Sequence, residues 1–359
     1  MNNILKSYSK KDFTLKNHLV MAPMTRSRAI HNLPNDLMAE YYGQRTGAGL
    51  IITEGTAPDP EALGYARIPG IFNQAQTEGW KRVTEKVHAG NSKIFIQLMH
   101  TGRIGHTDNL PAGTTLFGPS DIKAAGQIFT DTKGMQDHSQ PAALSIEGIR
   151  RVVSDFTTAA RNAIEVGFDG VEIHGANGYL VEQFLNPNVN NRTDEYGGSI
   201  QARAKFAIDV VTQISDAIGK EKVGIRFSPF SQLGDLQPYN QDDVHDTYSY
   251  LTAEMEKAGI AYIHISANPM IPQRTFNAIR ANFSGTIILC NALTPETAEQ
   301  ALEAGFADLV AFGRSYLANP DLDKRIELGA NLNQPDFTTL YTVGESGYTD
   351  YPTLKEEMV

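Results

Sequence analysis

The chain has 359 residues, 41% hydrophobic and 20% charged, which is enough apolar material for a sizeable core and excludes global disorder. Its 31 Lys and Arg against 41 Asp and Glu leave a net charge of −10, which argues against nucleic acid or an anionic membrane as the main partner. A single cysteine, Cys290, excludes an intrachain disulfide framework and a thiolate zinc cage.

The first residues, Met1–Ser7, contain no apolar signal core, and no apolar run approaches the ~18 residues of a membrane span. The expected compartment is the cytoplasm. At about 150 residues per domain the length fits two domains, but an α/β barrel often exceeds about 250 residues as one unit.

In chain order, Ser7–Asn17 reads as a small hairpin, suited to closing the bottom of a barrel. Short apolar runs then follow at His18–Pro23, Leu50–Gly55, Lys93–His100, Gly170–Gly175, Val223–Ser228, Tyr262–Ser266, Thr286–Asn291 and Leu309–Arg314. Near-continuous apolar runs of this length suit strands buried on both faces of a parallel sheet. Between them lie helical segments. Ser145 predicts an N-cap for Ile146–Val166 and Ser199 one for Ile200–Ile218, with Gly167 and Gly219 as stops. Asp242–Lys257 ends before Gly259, a shorter helix falls around Thr275–Asn282, and Thr294-Pro295 opens another that stops near Gly305.

Eight strands alternating with helices predict an α/β fold, a (β/α)8 TIM barrel spanning 1–359 as one domain. An open doubly wound sheet would place a glycine-rich phosphate loop after the first strand, where this chain reads Ala22-Pro23-Met24-Thr25-Arg26. Residues 101–143, rich in Gly, Pro, Thr and Asp, are expected to be a loop or lid insert.

Sites in such a barrel gather at the C-terminal strand ends. Those ends carry Met24 and Thr25, Glu54 and Gly55, Gln97 and His100, His174, Arg226, and Gly313 with Arg314. His174 and Asn177, three apart on a turn, can donate to one oxygen, and Tyr179 adds a phenolic proton. That set suits a carbonyl that gains charge while its neighbouring carbon is protonated. A histidine satisfying backbone groups in an ordinary turn accounts for the same residues. Arg226, inside an apolar strand, either pairs with a barrel carboxylate such as Glu172 or faces an anionic or electron-accepting ligand. The Gln97 amide offers the donor and acceptor that a heterocycle's edge requires. Gly313 and Arg314 suit a phosphate. A metal-dependent hydrolase using Glu54, Glu172, His100 and His174 is the rival enzyme class, but no His-x-His pair stands on the first strand. A non-catalytic barrel leaves the polar strand ends without a role.

Several motifs together resemble the old yellow enzyme family of FMN-dependent ene-reductases. They are 22–26 (APMTR), Ile96-Gln97-Leu98, 174–180 (HGANGYL), 191–199 (NRTDEYGGS), 312–314 (FGR), 319–322 (NPDL) and 347–352 (GYTDYP). They occur in the family's order along nearly the whole chain and look closest to its bacterial N-ethylmaleimide reductase and pentaerythritol tetranitrate reductase branch. The resemblance implies one non-covalent FMN, reduced by NADPH or NADH, and an electrophilic small-molecule substrate sharing one site with the nicotinamide, in a monomer or homodimer. It implies that Pro23, Met24, Thr25, Gly55, Gln97, Arg226, Asn291, Gly313 and Arg314 bind the cofactor. Thr25 would meet the flavin C4 carbonyl, Gln97 the pyrimidine edge, Arg226 the N1 and C2 carbonyl region, and Gly313 and Arg314 the phosphate.

The resemblance further implies that His174 and Asn177 hold a carbonyl or nitro oxygen while Tyr179 protonates Cα. Met99 and Tyr341 would line the substrate pocket. Enones, nitro-olefins, nitrate esters and nitroaromatics are the expected substrates. Three departures stand out. Met99 replaces a frequent Trp, 289–292 (LCNA) lacks the usual glycine, and only Tyr341 remains of an aromatic pair.

Overall fold

The structure, a computed structural model, describes residues 3–11, 13–290 and 292–357. Eight parallel strands follow one another around a closed barrel. They are β1 (Leu19–Met21), β2 (Leu50–Ile52), β3 (Lys93–Leu98), β4 (Gly170–Gly175), β5 (Val223–Phe227), β6 (Tyr262–Ser266), β7 (Thr286–Cys290) and β8 (Leu309–Phe312), and β8 pairs back onto β1. The expected (β/α)8 barrel is the fold observed. Strands β1, β2 and β8 end earlier than the apolar runs suggest. Past Met21 the ladder continues only through Ala22 N–H to the Phe312 carbonyl at 3.0 Å, before Pro23, which has no N–H to give.

The connecting helices, in chain order, are α1 (Asp36–Gln44), α2 (Gln74–Ala89), α3 (Ile146–Glu165), α4 (Leu180–Leu185), α5 (Ile200–Ile218), α6 (Gln241–Ala258), α7 (Gln273–Asn282), α8 (Pro295–Glu303), α9 (Arg314–Ala318) and α10 (Leu322–Leu328). The expected caps form: Ser145 accepts from Gly148 N–H, Ser199 from Ala202 N–H, and Thr294 makes a reciprocal box with Thr297. Helix α3 shows why these segments are helical. Ile149, Val152, Val153, Phe156, Ala160 and Ala163 recur at helical spacing and are all buried on its inner face.

The barrel interior is filled in layers. At the N-terminal end the rings of Phe95 and Tyr262 meet Phe13, at 5.9 and 6.0 Å. Phe13 belongs to the N-terminal hairpin, Tyr8–Lys10 against Phe13–Leu15, whose Tyr8 hydroxyl meets Thr286 Oγ1 at 2.7 Å. The hairpin therefore closes the bottom, as expected. Large rings fit because small residues face them: a Cβ on Gly170 would lie 2.4 Å from Phe95, and one on Gly224 2.2 Å from Tyr262. Burying each ring stabilises by roughly 1.5–3 kcal/mol.

The 101–143 insert contains two small sheets. Phe117–Gly118 pairs with Ala142–Ala143, and Gln127–Thr130 forms a hairpin with Gly134–Asp137. Among the described residues no helix is long and apolar enough to cross a membrane.

The glycine-for-ring complementarity is testable. Gly224→Ala drives a methyl into the Tyr262 ring, and overpacking of this kind costs about 1–3 kcal/mol. The denaturant midpoint should fall with an unchanged m-value.

Candidate active site

The chemistry begins one layer above the aromatic plug. Glu172, wholly buried on β4, accepts from Gln97 Nε2 at 2.7 Å and lies 2.9 Å from His264 Nδ1. Burial opposes charge on His264, but Glu172 prevails and raises its pKa above the ordinary value. Strand alternation places His174 two residues above Glu172 on the same face, and the register sets His174 beside Arg226 and Arg226 beside His264. Arg226 is only 6% exposed, its Nε has no hydrogen-bond partner among the described residues, and its Nη2 lies 3.4 Å from Ser266 Oγ. The pairing of Arg226 with Glu172 does not occur, because His264 and Gln97 already occupy that carboxylate. A guanidinium this deep with no carboxylate is unfavourable unless a ligand compensates it. Gln97 lies where the sequence places it, but one of its two amide N–H groups is taken by Glu172.

Beyond β4 the chain makes a tight turn. His174 Nδ1 accepts the Ala176 N–H at 3.3 Å. Burial, together with Arg226 and His264, holds its pKa well below the ordinary imidazole value. The neutral ring therefore carries its proton on Nε2, as a donor. The alternative of a backbone-satisfying histidine is right for one ring nitrogen only. Asn177 and Gly178 both adopt left-handed φ, 57° and 82°. Tyr179 meets His174 edge-on at 4.7 Å, and its hydroxyl donates to Tyr65 at 3.1 Å. Burial pushes the Tyr179 phenol well above its usual range, so it keeps its proton at neutral pH.

Tyr179, Thr25, Tyr65 and Tyr341 border a cavity of about 800 Å³ whose outer walls include Phe129, Met135, Phe337 and Val343. Tyr341 is 59% exposed, as a tail residue would be, yet it faces this cavity. It is held there by arginines whose role the sequence did not announce. Arg26 and Arg28, both buried, donate to the carbonyls of Leu340, Gly347, Thr339 and Ser346. Arg67 donates to the carbonyls of Ser27 and Tyr341 and pairs with Asp131 in the hairpin turn. Tyr65, also missed, is signalled in the sequence only by its place in 63–66 (LGYA).

The remaining candidates divide. Pro23 is buried, while Met24 and Thr25 are partly exposed. Met99 is 1% exposed, clusters with Leu63, Ile68 and Leu116, and is absent from the cavity lining. Tyr179 and Tyr65, which do border the cavity, pack against the same cluster. Gly55 has a local reason to be glycine: a Cβ there would lie 2.5 Å from Met99 Sδ. Gly313 has none among the described residues, where the nearest atom to an added Cβ is Met24 Sδ at 3.4 Å. Arg314 is exposed and makes no ion pair among the described residues. Asn291 lies outside the described residues. Its successor Ala292 adopts φ 46°, a conformation that favours glycine.

The metal-hydrolase reading finds no support. Among the described residues no three His, Cys, Asp or Glu side chains could hold an ion. Glu54 accepts from the Arg26 N–H and the Tyr42 hydroxyl, and His100 Nδ1 accepts from Gly102 N–H.

Comparison with known proteins agrees with this geometry. Residues 7–333 match the model of the NADH:flavin oxidoreductase / NADH oxidase family. The chain is 42% identical to 12-oxophytodienoate reductase 1 of Oryza sativa subsp. japonica, covering 98% of this chain and 93% of that protein. It is 39% identical to 12-oxophytodienoate reductase 2 of Arabidopsis thaliana, covering 98% and 96%. The solved structure of morphinone reductase in complex with tetrahydroNAD superposes with a TM-score of 0.94 at 41% identity, over 99% of this chain and 98% of that one. With a compensation-seeking arginine, a neutral histidine and a protonated tyrosine at the mouth of a (β/α)8 barrel, the chain belongs to the NADH:flavin oxidoreductase / NADH oxidase family, that of old yellow enzyme.

Proposed function

We propose that the chain is an NAD(P)H-dependent, FMN-containing ene-reductase acting on the activated C=C bond of α,β-unsaturated carbonyl and nitro compounds. The observation that carries this reading is the buried Arg226, without a carboxylate partner among the described residues and set in register beside His174. FMN fits the residues present. Arg226 would compensate the electron-rich edge of its ring, and Thr25, just beyond β1, and Gln97, on β3, offer polar contacts. Gly313 and the unpaired Arg314 would hold the phosphate, with Pro23, Met24 and Gly55 bordering. When bound, FMN supplies the hydride, taken from NADH or NADPH and delivered from N5 to Cβ of the substrate.

The protein's own contribution is orientation and proton supply. His174 donates from Nε2, and the Asn177 amide, which has no hydrogen bond among the described residues, donates to the same oxygen of the substrate. Together they stabilise the negative charge that grows there as the double bond is reduced. Tyr179 protonates Cα, and Tyr65, hydrogen-bonded to it, links that proton to the cavity. Nicotinamide and substrate would share this one site, and morphinone reductase, similar over 99% of this chain, has been solved in complex with tetrahydroNAD. Nitrate esters and nitroaromatics, which also present an oxygen to hold, extend the range. The apolar outer wall of Phe129, Met135, Phe337 and Val343 favours electrophiles with a large apolar substituent.

We further place the chain, by its motifs, in the bacterial N-ethylmaleimide reductase and pentaerythritol tetranitrate reductase branch. We read it as one FMN-binding unit with 101–143 as the wall of the site. The lone Cys290 suits a reducing, cytoplasmic setting.

The purified protein should be yellow, release FMN on denaturation and oxidise NADH or NADPH with 2-cyclohexenone. A colourless protein that takes up no added FMN would defeat the proposal. Arg226→Met should weaken FMN retention roughly 10–100-fold, the worth of a charge-assisted hydrogen bond. Equilibrium dialysis with unchanged affinity would assign Arg226 a structural role instead.

Tyr179→Phe removes the proton and keeps the ring. In stopped flow, the nicotinamide should reduce the flavin at nearly the wild-type rate, while reoxidation by 2-cyclohexenone slows roughly 10²-fold or more. Equal effects on both half-reactions would exclude Tyr179 as the proton donor. Asn177→Ala should slow enone reduction roughly 10²–10³-fold, the loss seen for a donor to a developing oxyanion. Intact turnover together with intact phenol binding would remove Asn177 from the oxygen site.

A further inference from the structure

Glu182, in the first turn of α4, is a buried carboxylate with no cationic partner among the ion pairs of the described residues. Burial lifts its pKa to about 7, against the pull of the hydrogen bonds it accepts. An apolar side chain would fill the same place without that desolvation cost. Its four contacts explain what the carboxylate does.

Oε2 accepts the Gly178 N–H at 2.7 Å, and Oε1 accepts the Tyr248 hydroxyl at 2.7 Å. Ser228 Oγ lies 2.8 and 2.9 Å from the two carboxylate oxygens and itself accepts the Asn177 N–H at 2.8 Å. The carboxylate thus fixes two consecutive N–H groups of the turn, one directly and one through Ser228. The next residue completes the grip: Gln183 Nε2 donates to the Gly178 carbonyl at 2.7 Å.

The turn needs such a brace. Asn177 and Gly178 are both left-handed, at φ 57° and 82°, and a non-glycine residue holds such a conformation at a cost. Gly178 is also pressed against the Leu233 carbonyl, 2.3 Å from where a Cβ would stand. Two successive left-handed residues set the direction in which the Asn177 amide leaves the backbone and bring Tyr179 onto His174.

We propose that Glu182 is a positioning residue of the reductase site. Through Gly178 N–H and, by way of Ser228, Asn177 N–H, it holds the left-handed turn that presents Asn177 and Tyr179 to the substrate. This rests on the reading of His174, Asn177 and Tyr179 given above. The carboxylate touches neither substrate nor cofactor; it acts by fixing the peptide groups that carry the residues which do.

The test compares Glu182→Met, which keeps volume but accepts no N–H, with Glu182→Gln, which keeps an acceptor for Gly178 and turns its amide toward the Tyr248 hydroxyl. The readouts on holoenzyme are FMN content, the Kd of phenol from the perturbed flavin spectrum, and KM and kcat for 2-cyclohexenone. In Glu182→Met the phenol Kd and the cyclohexenone KM should rise about 10–100-fold at full FMN content, and Glu182→Gln should recover most of the loss.

Unchanged phenol binding in an FMN-replete Glu182→Met enzyme overturns the proposal. So does an FMN-replete Glu182→Gln enzyme as impaired as Glu182→Met, because volume and acceptor would then not be what matters. Should Glu182→Met not fold, Ser228→Ala decides: weakened phenol binding with FMN retained supports the brace, and wild-type binding overturns it. A yellow wild-type protein that neither binds phenol nor reduces cyclohexenone defeats the reading of the site itself, and the positioning role falls with it.

Discussion

The Glu172 carboxylate, sealed inside the barrel between Gln97 and His264, sets the electrostatics of everything above it. One negative charge is matched by one histidine of raised pKa, so the layer is closed and has nothing left to offer Arg226. Arg226 is covalently fixed to β5 and cannot leave for solvent. Its uncompensated charge therefore faces the mouth of the barrel. That same charge, with burial, keeps His174 neutral, and neutrality combined with the Ala176 N–H on Nδ1 settles which nitrogen carries the proton. A donor and a cation thus follow from the pairing of one buried carboxylate, while it is chiefly burial that keeps the Tyr179 phenol protonated.

Around this fixed floor the site is completed by segments far apart in sequence. The turn after β4 is gripped from α4 and β5. The outer wall comes from the 127–137 hairpin and from 337–343 near the C-terminus, drawn together by arginines. Arg26 and Arg28 bind tail carbonyls, Arg45 donates to the Tyr316, Leu317 and Tyr348 carbonyls, and the Tyr348 ring stacks on Tyr41 at 4.0 Å. Bonds from guanidinium groups to backbone carbonyls are largely indifferent to the side chains of the segment held. The wall can therefore vary in shape, through Phe129, Met135, Phe337 and Val343, without loosening its attachment. Arg67 has a special place among these anchors, because it ties the loop after β1, the tail and the hairpin to a single side chain. The floor is held by side-chain pairs inside the barrel, the outer wall by guanidinium bonds to backbone carbonyls.

The sequence by itself determined the barrel. Eight buried strands, spaced by capped helices, leave little choice of architecture, because parallel strands with apolar faces must be covered by the helices between them. It also determined the local chemistry of 174–179, where neighbours in sequence are neighbours in space, and the motifs that place the chain in its family. Only the tertiary structure decided the rest. Arg226 and Glu172 stand on adjacent strands of one barrel, and their failure to pair depends on His264, which lies on a third strand and is invisible to any local pattern. Met99 is buried, and its thioether fills the space that Gly55, beyond the end of β2, leaves open. Tyr65, Arg67 and Glu182 carry no signature of their own, since a tyrosine, an arginine or a glutamate in a loop or a short helix is ordinary in any chain. Their roles come from partners distant in sequence, and such partners are brought together only when the barrel closes.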